Sequence, residues 1–225
     1  WENGSPVLRV WAPTARSVSL LLYADSKPET TATTVPMTVD PATGVWSAAG
    51  GPDWKNKYYL YQVQVFYRKS GKVEHNAVTD PYSLSLARNG LRSQIVDLSD
   101  PALQPPGWAL LRKPELHSLS DTTVYELHIR DFSASDKSVP AGLRGTFRAF
   151  ATPGDGTRHL AILALAGLTH VHLLPSFDIS SVDEDKSTWQ DPGDLSGFPP
   201  DSDQQQKAVA AVKDHDGFNW GYDPF

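Results

Sequence analysis

Val124-Tyr125-Glu126-Leu127-His128-Ile129, then His159-Leu160-Ala161-Ile162-Leu163-Ala164-Leu165-Ala166, then Thr169-His170-Val171-His172-Leu173-Leu174 are the three stretches that decide the fold. The first and last are short and rich in β-branched, aromatic and leucine residues, and the last is closed by Pro175, so both read as strands. The middle one is almost wholly apolar and built from Ala and Leu, which predicts a helix buried on most sides. Gly167 stands where a helix-terminating glycine belongs. Strand, helix, strand is the βαβ unit of a parallel sheet with a right-handed crossover.

Downstream, residues 177–219 are polar and loop-like. One short helix is expected over Asp203 to Val212, with Ser202 or Asp201 as its N-cap. A connection this long after a strand is usually functional or a small subdomain. Upstream, Pro101, Pro105, Pro106, Gly107 and Pro114 make residues 101–121 a stiff connecting segment, read as packing onto its neighbours. Before it, residues 1–100 read as short strands and turns. Val7–Trp11 alternates, Val18–Tyr23 is apolar, and Asp40-Pro41-Ala42-Thr43-Gly44 is a turn before Val45-Trp46. Tyr58 to Tyr67 alternates for ten residues, with Tyr59, Tyr61, Val63, Val65 and Tyr67 on one face. Ser70-Gly71-Lys72 then marks a hairpin turn. Strands at this spacing predict a β-sandwich.

Composition narrows the function. Of 225 residues, 40% are hydrophobic, enough to bury a core in one large or two modest domains. The net charge of −6 and the lack of a dense Lys/Arg cluster argue against nucleic acid as a partner, because no counterion release is on offer. A neutral partner such as a sugar fits better. There is no cysteine, so disulfides and thiolate metal sites are excluded. No run of about 18 apolar residues exists, so no membrane span is expected. The first residues, Trp1-Glu2-Asn3-Gly4, do not read as a signal peptide. Oligomeric state is left open.

Three ordered motifs carry a family resemblance: Val124 to Ser133, Ala166 to Phe177, and Phe218-Asn219-Trp220-Gly221-Tyr222-Asp223-Pro224. Together they resemble the first two barrel strands and the next active-site loop of family 13 glycoside hydrolases, the α-amylase superfamily. The Pro199-Pro200-Asp201-Ser202-Asp203-Gln204-Gln205-Gln206 stretch and the wording of the first two motifs narrow the resemblance to plant-type limit dextrinases and close pullulanases, N-terminal part only. In front, Val10-Trp11-Ala12-Pro13, Gly44-Val45-Trp46 and Asp80-Pro81-Tyr82 resemble carbohydrate-binding module family 48.

The resemblance implies a multidomain β plus α/β chain. An immunoglobulin-like β-sandwich (1–100) and a connecting segment (101–121) would precede the truncated start of a TIM (β/α)8 barrel (122–225). Such barrels carry their active sites at the C-terminal strand ends, which here would be Arg130 to Phe132, Ser176 onward and Tyr222. It implies hydrolysis of α-1,6 linkages in limit dextrins, amylopectin-derived glucans and pullulan by a retaining pair of carboxylates. The family's nucleophile, acid and His-Asp motifs are missing, so no catalytic residue is expected in this chain, and neither Glu126, Asp131 nor Asp223 is promoted to one. The alternatives are an isoamylase-type or branching enzyme of the same superfamily, or an inactive glucan-binding or packing module.

Tyr222 is the leading substrate-binding candidate, since an aromatic face matches the C–H face of a pyranose; a core or rim tyrosine is the plain alternative. Asp223 is a second candidate, as a substrate-orienting group or a turn residue before Pro224. Trp46 and Trp54 are weaker sugar-platform candidates, weighed against Trp11 and Trp46 as core and Trp54 as a turn residue. His128 and His172 are read as hydrogen-bonded barrel histidines before metal ligands. Asp183-Glu184-Asp185 is a candidate for helping to bind Ca²⁺, against a solvated loop; no cofactor is required. A plastid location follows if the source is plant or algal, otherwise a bacterial cytoplasmic or secreted one.

Overall fold

The computed structural model describes residues 1–174, 176 and 181–217. They form two compact units, one of Trp1–Pro105 with the described part of 180–219, the other of the described part of 106–179. The long polar segment 181–217, which the sequence groups with the second half, thus belongs by contact with the first.

The first unit begins with β1 (Val7–Trp11), β2 (Ala15–Tyr23), β3 (Thr33–Pro36), β4 (Thr38–Asp40), β5 (Val45–Ala49), β6 (Tyr58–Tyr67), β7 (Lys72–Val78) and β8 (Ser93–Gln94). One sheet runs β1-β5-β4 and the other β3-β2-β6-β7, with β8 paired to β6 and every pairing antiparallel. Period-two alternation sends Val18, Leu20 and Leu22 of β2 and Tyr59 and Tyr61 of β6 inward, against Val10, Trp46 and Ala48 from the opposite sheet. Leu20 and Tyr61 have no solvent exposure at all. This is the expected sandwich, and the β6–β7 hairpin turns where expected, with Gly71 N–H donating to the Tyr67 carbonyl at 2.9 Å.

The same alternation corrects one expectation. Trp11 is not core: Val10 occupies the inward position, so its neighbour Trp11 points out and is 62% exposed. At the other end of the strand face, Tyr67 also lies outside the core, 47% exposed.

The sandwich interior holds one carboxylate. Asp80 accepts hydrogen bonds from the hydroxyls of Tyr59 (2.6 Å) and Tyr61 (3.0 Å), and from the backbone N–H of Tyr82 (2.8 Å). Burial first, then the Asp80 carboxylate, pushes both phenols far above their ordinary range, so both stay protonated as donors. A buried carboxylate is tolerable because its oxygens are occupied. Through them it ties β6 to the turn that carries Tyr82.

In the second unit, β9 (Val124–His128) and β10 (His170–Leu174) pair in parallel, Val124 against His170 and His128 against Leu174. At the start of the pair, Thr123 and Thr169 exchange hydrogen bonds, each N–H donating to the other's hydroxyl at 2.9 and 3.0 Å. Between the strands lies α1 (Asp155–Leu165), four residues longer at its start than the apolar run suggests. The extra turn is polar, and polar groups receive its free N–H donors: Asp136 accepts from Gly156 N–H at 3.2 Å, and the Ser138 hydroxyl from Asp155 N–H at 2.8 Å. The C-terminus closes as expected. Gly167 takes φ 107°, its N–H donates to the Ala164 carbonyl, and Leu168 N–H reaches back to Leu163.

The expectation of a helix buried on most sides fails. No residue of α1 is buried; Ile162 is 57% and Leu165 91% exposed. A pair of strands is too narrow a platform to cover an apolar helix, and the Phe132 ring, which lies against Gly156, reaches only its first turn. The connecting segment departs from its reading too. Of residues 106–121 only Leu116 is even partly covered, and Leu110, Leu111 and Leu119 are largely exposed.

The remaining helix, α2 (Gln204–Val212), starts one residue later than expected. Asp203 holds the N-cap position without a side-chain cap bond, while the Ser202 hydroxyl accepts from Gln204 N–H at 3.1 Å. No helix among the described residues is long and apolar enough to cross a membrane.

Candidate functional site

Tyr222 and Asp223, the leading candidates from the sequence, lie outside the described residues. The two weaker ones are placed. Trp46 is 8% exposed inside the sandwich, with its indole N–H donating to the Ala12 carbonyl at 3.0 Å, so its ring face is spent on the core. Trp54 packs half-buried against that core and lies over Gly50, where a Cβ would stand 2.0 Å from the indole. Neither presents a free platform.

Other aromatic rings in this unit do face outward, among them Trp11 and Tyr82, which the sequence did not propose as sugar platforms. A groove of about 490 Å³ is lined by Trp1, Arg9, Trp11, Asp80, Tyr82 and Gln94, among others. Trp11 donates its indole N–H to the Thr43 carbonyl (3.0 Å) and Trp1 donates to Val96 (2.9 Å), so both rings are pinned. Tyr82, 67% exposed, sits on the turn held by Asp80. Fixed aromatic faces beside polar groups suit a sugar chain. The signal for this was the strand alternation itself, since an inward Val10 requires an outward Trp11.

In the second unit, the C-terminal ends of the parallel strands carry His128, Arg130 and Asp131. His128 is 7% exposed, with its Nδ1 3.9 Å from the Asp131 carboxylate, which Arg130 Nε contacts at 3.0 Å. Two register positions back, Glu126 pairs across the strands with His172 Nδ1 at 2.9 Å. A cavity of about 380 Å³ opens beside them, lined by Tyr125, Glu126, His128, Asp131, Phe132 and His159, with others. Both carboxylates are engaged by cationic or imidazole groups, an arrangement suited to hydrogen-bonding hydroxyls.

The acidic run 183–185 is held against the sandwich. Asp183 accepts from Asn89 Nδ2 (3.0 Å), Glu184 from Asn89 N–H (3.0 Å), and Asp185 from Arg88 (3.0 Å). In return, Glu184 N–H donates to Asn89 Oδ1 at 2.8 Å. Neighbouring hydrogen bonds hold the Asp183 and Asp185 carboxyls below the usual carboxylate range: the Asp185 N–H for Asp183, the Ser187 hydroxyl for Asp185. These oxygens grip the 88–90 turn of the sandwich, which is why 181–217 belongs to the first unit. Among the described residues no group of three or more His, Asp or Glu side chains could hold a metal ion. The sequence carried one trace of this clasp, the Asn89-Gly90 dipeptide, a turn signal whose asparagine takes φ 56°.

Comparison with known proteins gives these features a context. Residues 1–83 match carbohydrate-binding module 48, the isoamylase N-terminal domain. The chain is 40% identical to the chloroplastic pullulanase 1 of Arabidopsis thaliana over 96% of its length, and 39% identical to the pullulanase of Klebsiella pneumoniae over 99%. It spans about a quarter of those relatives, 23% and 24%. The solved structure of Klebsiella pneumoniae pullulanase complexed with maltotriose superposes with a TM-score of 0.87 at 36% identity, over 98% of this chain and 24% of that one. Both units fall inside these matches, so the chain is similar to a part of the pullulanases that includes the carbohydrate-binding module.

Proposed function

We propose that this chain is part of a starch-debranching glycoside hydrolase that cleaves α-1,6-glucosidic linkages in limit dextrins, amylopectin-derived glucans and pullulan. One observation carries the reading: the match to pullulanases covers 96% and 99% of the chain, and so takes in the sandwich, the connecting segment and the βαβ unit together. On this reading β9, α1 and β10 open a (β/α)8 barrel, and His128, Arg130 and Asp131 stand on its active-site rim. Tyr222 stacks on a glucose unit, with Asp223 orienting it. The nucleophile and the acid come from outside these 225 residues, and the chain by itself has no activity.

The test is hydrolysis by the full-length protein that contains this chain. Pullulan should yield maltotriose while linear amylose is left intact, and the 225-residue chain should release no reducing ends from either. Cleavage of amylose, or transfer of branches without net hydrolysis, would favour another enzyme of the superfamily.

A second reading concerns the front module alone, and the outward Trp11 and Tyr82 favour it. If that groove takes glucan, Trp11→Ala should weaken retention of the chain in amylopectin-containing gels several-fold, since each lost aromatic stacking contact is worth about 0.5–1.5 kcal/mol. Trp54→Phe should leave retention unchanged.

A further inference from the structure

The groove of the first unit carries two exposed aromatic side chains from different parts of the chain, and one carboxylate joins them. Trp11 stands at the end of β1, and Tyr82 on the turn that follows β7. Asp80 lines the same groove but is only 8% exposed. On the side of Tyr82, its Oδ1 accepts the Tyr82 N–H at 2.8 Å and its backbone carbonyl accepts the Ser83 N–H at 3.0 Å. Pro81, inside this turn, has its φ fixed by its ring. On the side of the sandwich, Oδ2 accepts from the hydroxyls of Tyr59 and Tyr61, and the Asp80 N–H donates to the hydroxyl of the fully buried Ser93 at 3.0 Å. The Tyr61 hydroxyl also donates to the carbonyl of Arg9 at 3.3 Å, two residues before Trp11. One side chain thus holds the Tyr82 turn to β6 and, through Tyr61, to the strand that carries Trp11. Both of its oxygens are engaged within the protein.

We propose that Asp80 is a positioning residue for glucan binding in this groove: it fixes the backbone of Tyr82, and with it the ring that stacks on a glucose unit. This rests on the reading of the groove as a glucan site given above, and adds to it a residue that acts without touching sugar. The physical reason is preorganisation. An exposed ring on a loose turn loses backbone freedom when a sugar seats on it, and that loss is subtracted from the stacking. A turn already held at its carboxylate, its carbonyl and its proline has little freedom left to lose. A carboxylate suits this place because it accepts from a backbone N–H at one oxygen and from two hydroxyls at the other, which keeps a buried charge satisfied.

The test is the affinity of the 225-residue chain for maltoheptaose, measured by calorimetry, with Tm measured on every variant. Tyr82→Ala should raise Kd about fivefold and Asp80→Ala about as much, since each loses the same stacking contact. In the Tyr82→Ala background, Asp80→Ala should add less than about twofold, because the two residues act as one unit. Asp80→Asn keeps an acceptor for the Tyr82 N–H and offers its amide to the two hydroxyls, so it should bind within about twofold of wild type. If Asp80→Ala does not fold for want of a partner for those hydroxyls, the triple variant Tyr59→Phe, Tyr61→Phe, Asp80→Ala strands neither of them and should show the same rise of about fivefold. An unchanged Kd in Asp80→Ala, or in the triple variant, with only Tm lowered, would overturn the inference and leave Asp80 a role in stability alone. Effects of Asp80→Ala and Tyr82→Ala that multiply, or a loss in Asp80→Asn equal to that in Asp80→Ala, would overturn it too, by showing that sugar meets the carboxylate itself. In these cases the groove reading survives wherever Trp11→Ala still weakens binding. A wild-type chain that does not bind maltoheptaose would overturn both.

Discussion

The sandwich and the βαβ unit use the same kinds of residue to opposite ends. In the sandwich, Val18, Leu20, Tyr59 and Tyr61 meet Val10, Trp46 and Ala48 from a second sheet, and each is at most 8% exposed. In the βαβ unit, Tyr125, Ile162, Leu165 and Val171 are equally apolar and stay 39% to 91% exposed. The difference lies in the number of layers and not in the residues. A sheet facing a sheet covers both inner faces, whereas one helix on a pair of parallel strands leaves the far face of the strands and most of the helix in water. Local propensity and capping suffice to shape α1 and its Gly167 terminus, but the stability that apolar burial gives a helix needs further surface laid over it.

Substitutions can break or sharpen this contrast. Leu20→Ala removes a side chain from a closed core and should lower stability by about 2–5 kcal/mol in urea unfolding of the chain. Leu165→Ala, the same change at a 91% exposed position, should cost less than about 0.5 kcal/mol. Equal costs would mean that α1 is covered in solution. Next, Tyr61→Phe removes one donor from the buried Asp80 and should cost about 1–2 kcal/mol, because a hydrogen bond to a charged acceptor is lost where water does not replace it. By contrast Glu126→Gln, which breaks a pair with His172 in which both side chains are more than half exposed, should cost under about 1 kcal/mol.

The smallest effect concerns pH and the Asn89 clasp. The carboxyls of Asp183 and Asp185 titrate below their ordinary value in the folded state. Their contribution is therefore present above the unfolded value, about 3.9, and is lost as pH falls through the depressed folded value. Limited proteolysis between residues 190 and 217 should stay slow from pH 7 down to about pH 4 and quicken only in more acidic solution. Early cleavage near pH 6 would show that these carboxylates do not hold the loop.

Much of this was legible in the sequence, and what was not has a physical reason. Tyr58 to Tyr67 announced its strand and divided it into two faces, though alternation alone did not say which one the second sheet covers, or that Tyr67 lies beyond it. The same alternation held the outward Trp11, but an indole reads as core by hydrophobicity unless its neighbour is assigned first. The parallel pairing of Val124–His128 with His170–Leu174 followed from strand, helix and strand in order. The exposure of α1 did not follow, because an Ala/Leu run records the environment a helix is suited to and not the surface present around it. For the Asn89 clasp, the partners lie 94 to 97 residues apart, and no local pattern in an acidic run says which distant turn it will grip.

Hydrogen–deuterium exchange of the 225-residue chain tests the contrast between its halves most directly. Backbone amides of 15–23 and 58–67 should exchange slowly and together, through global opening of the sandwich, while those of 124–128 and 170–174 exchange orders of magnitude faster through local opening. Equal protection of all four strands, lost in a single cooperative step, would contradict the account.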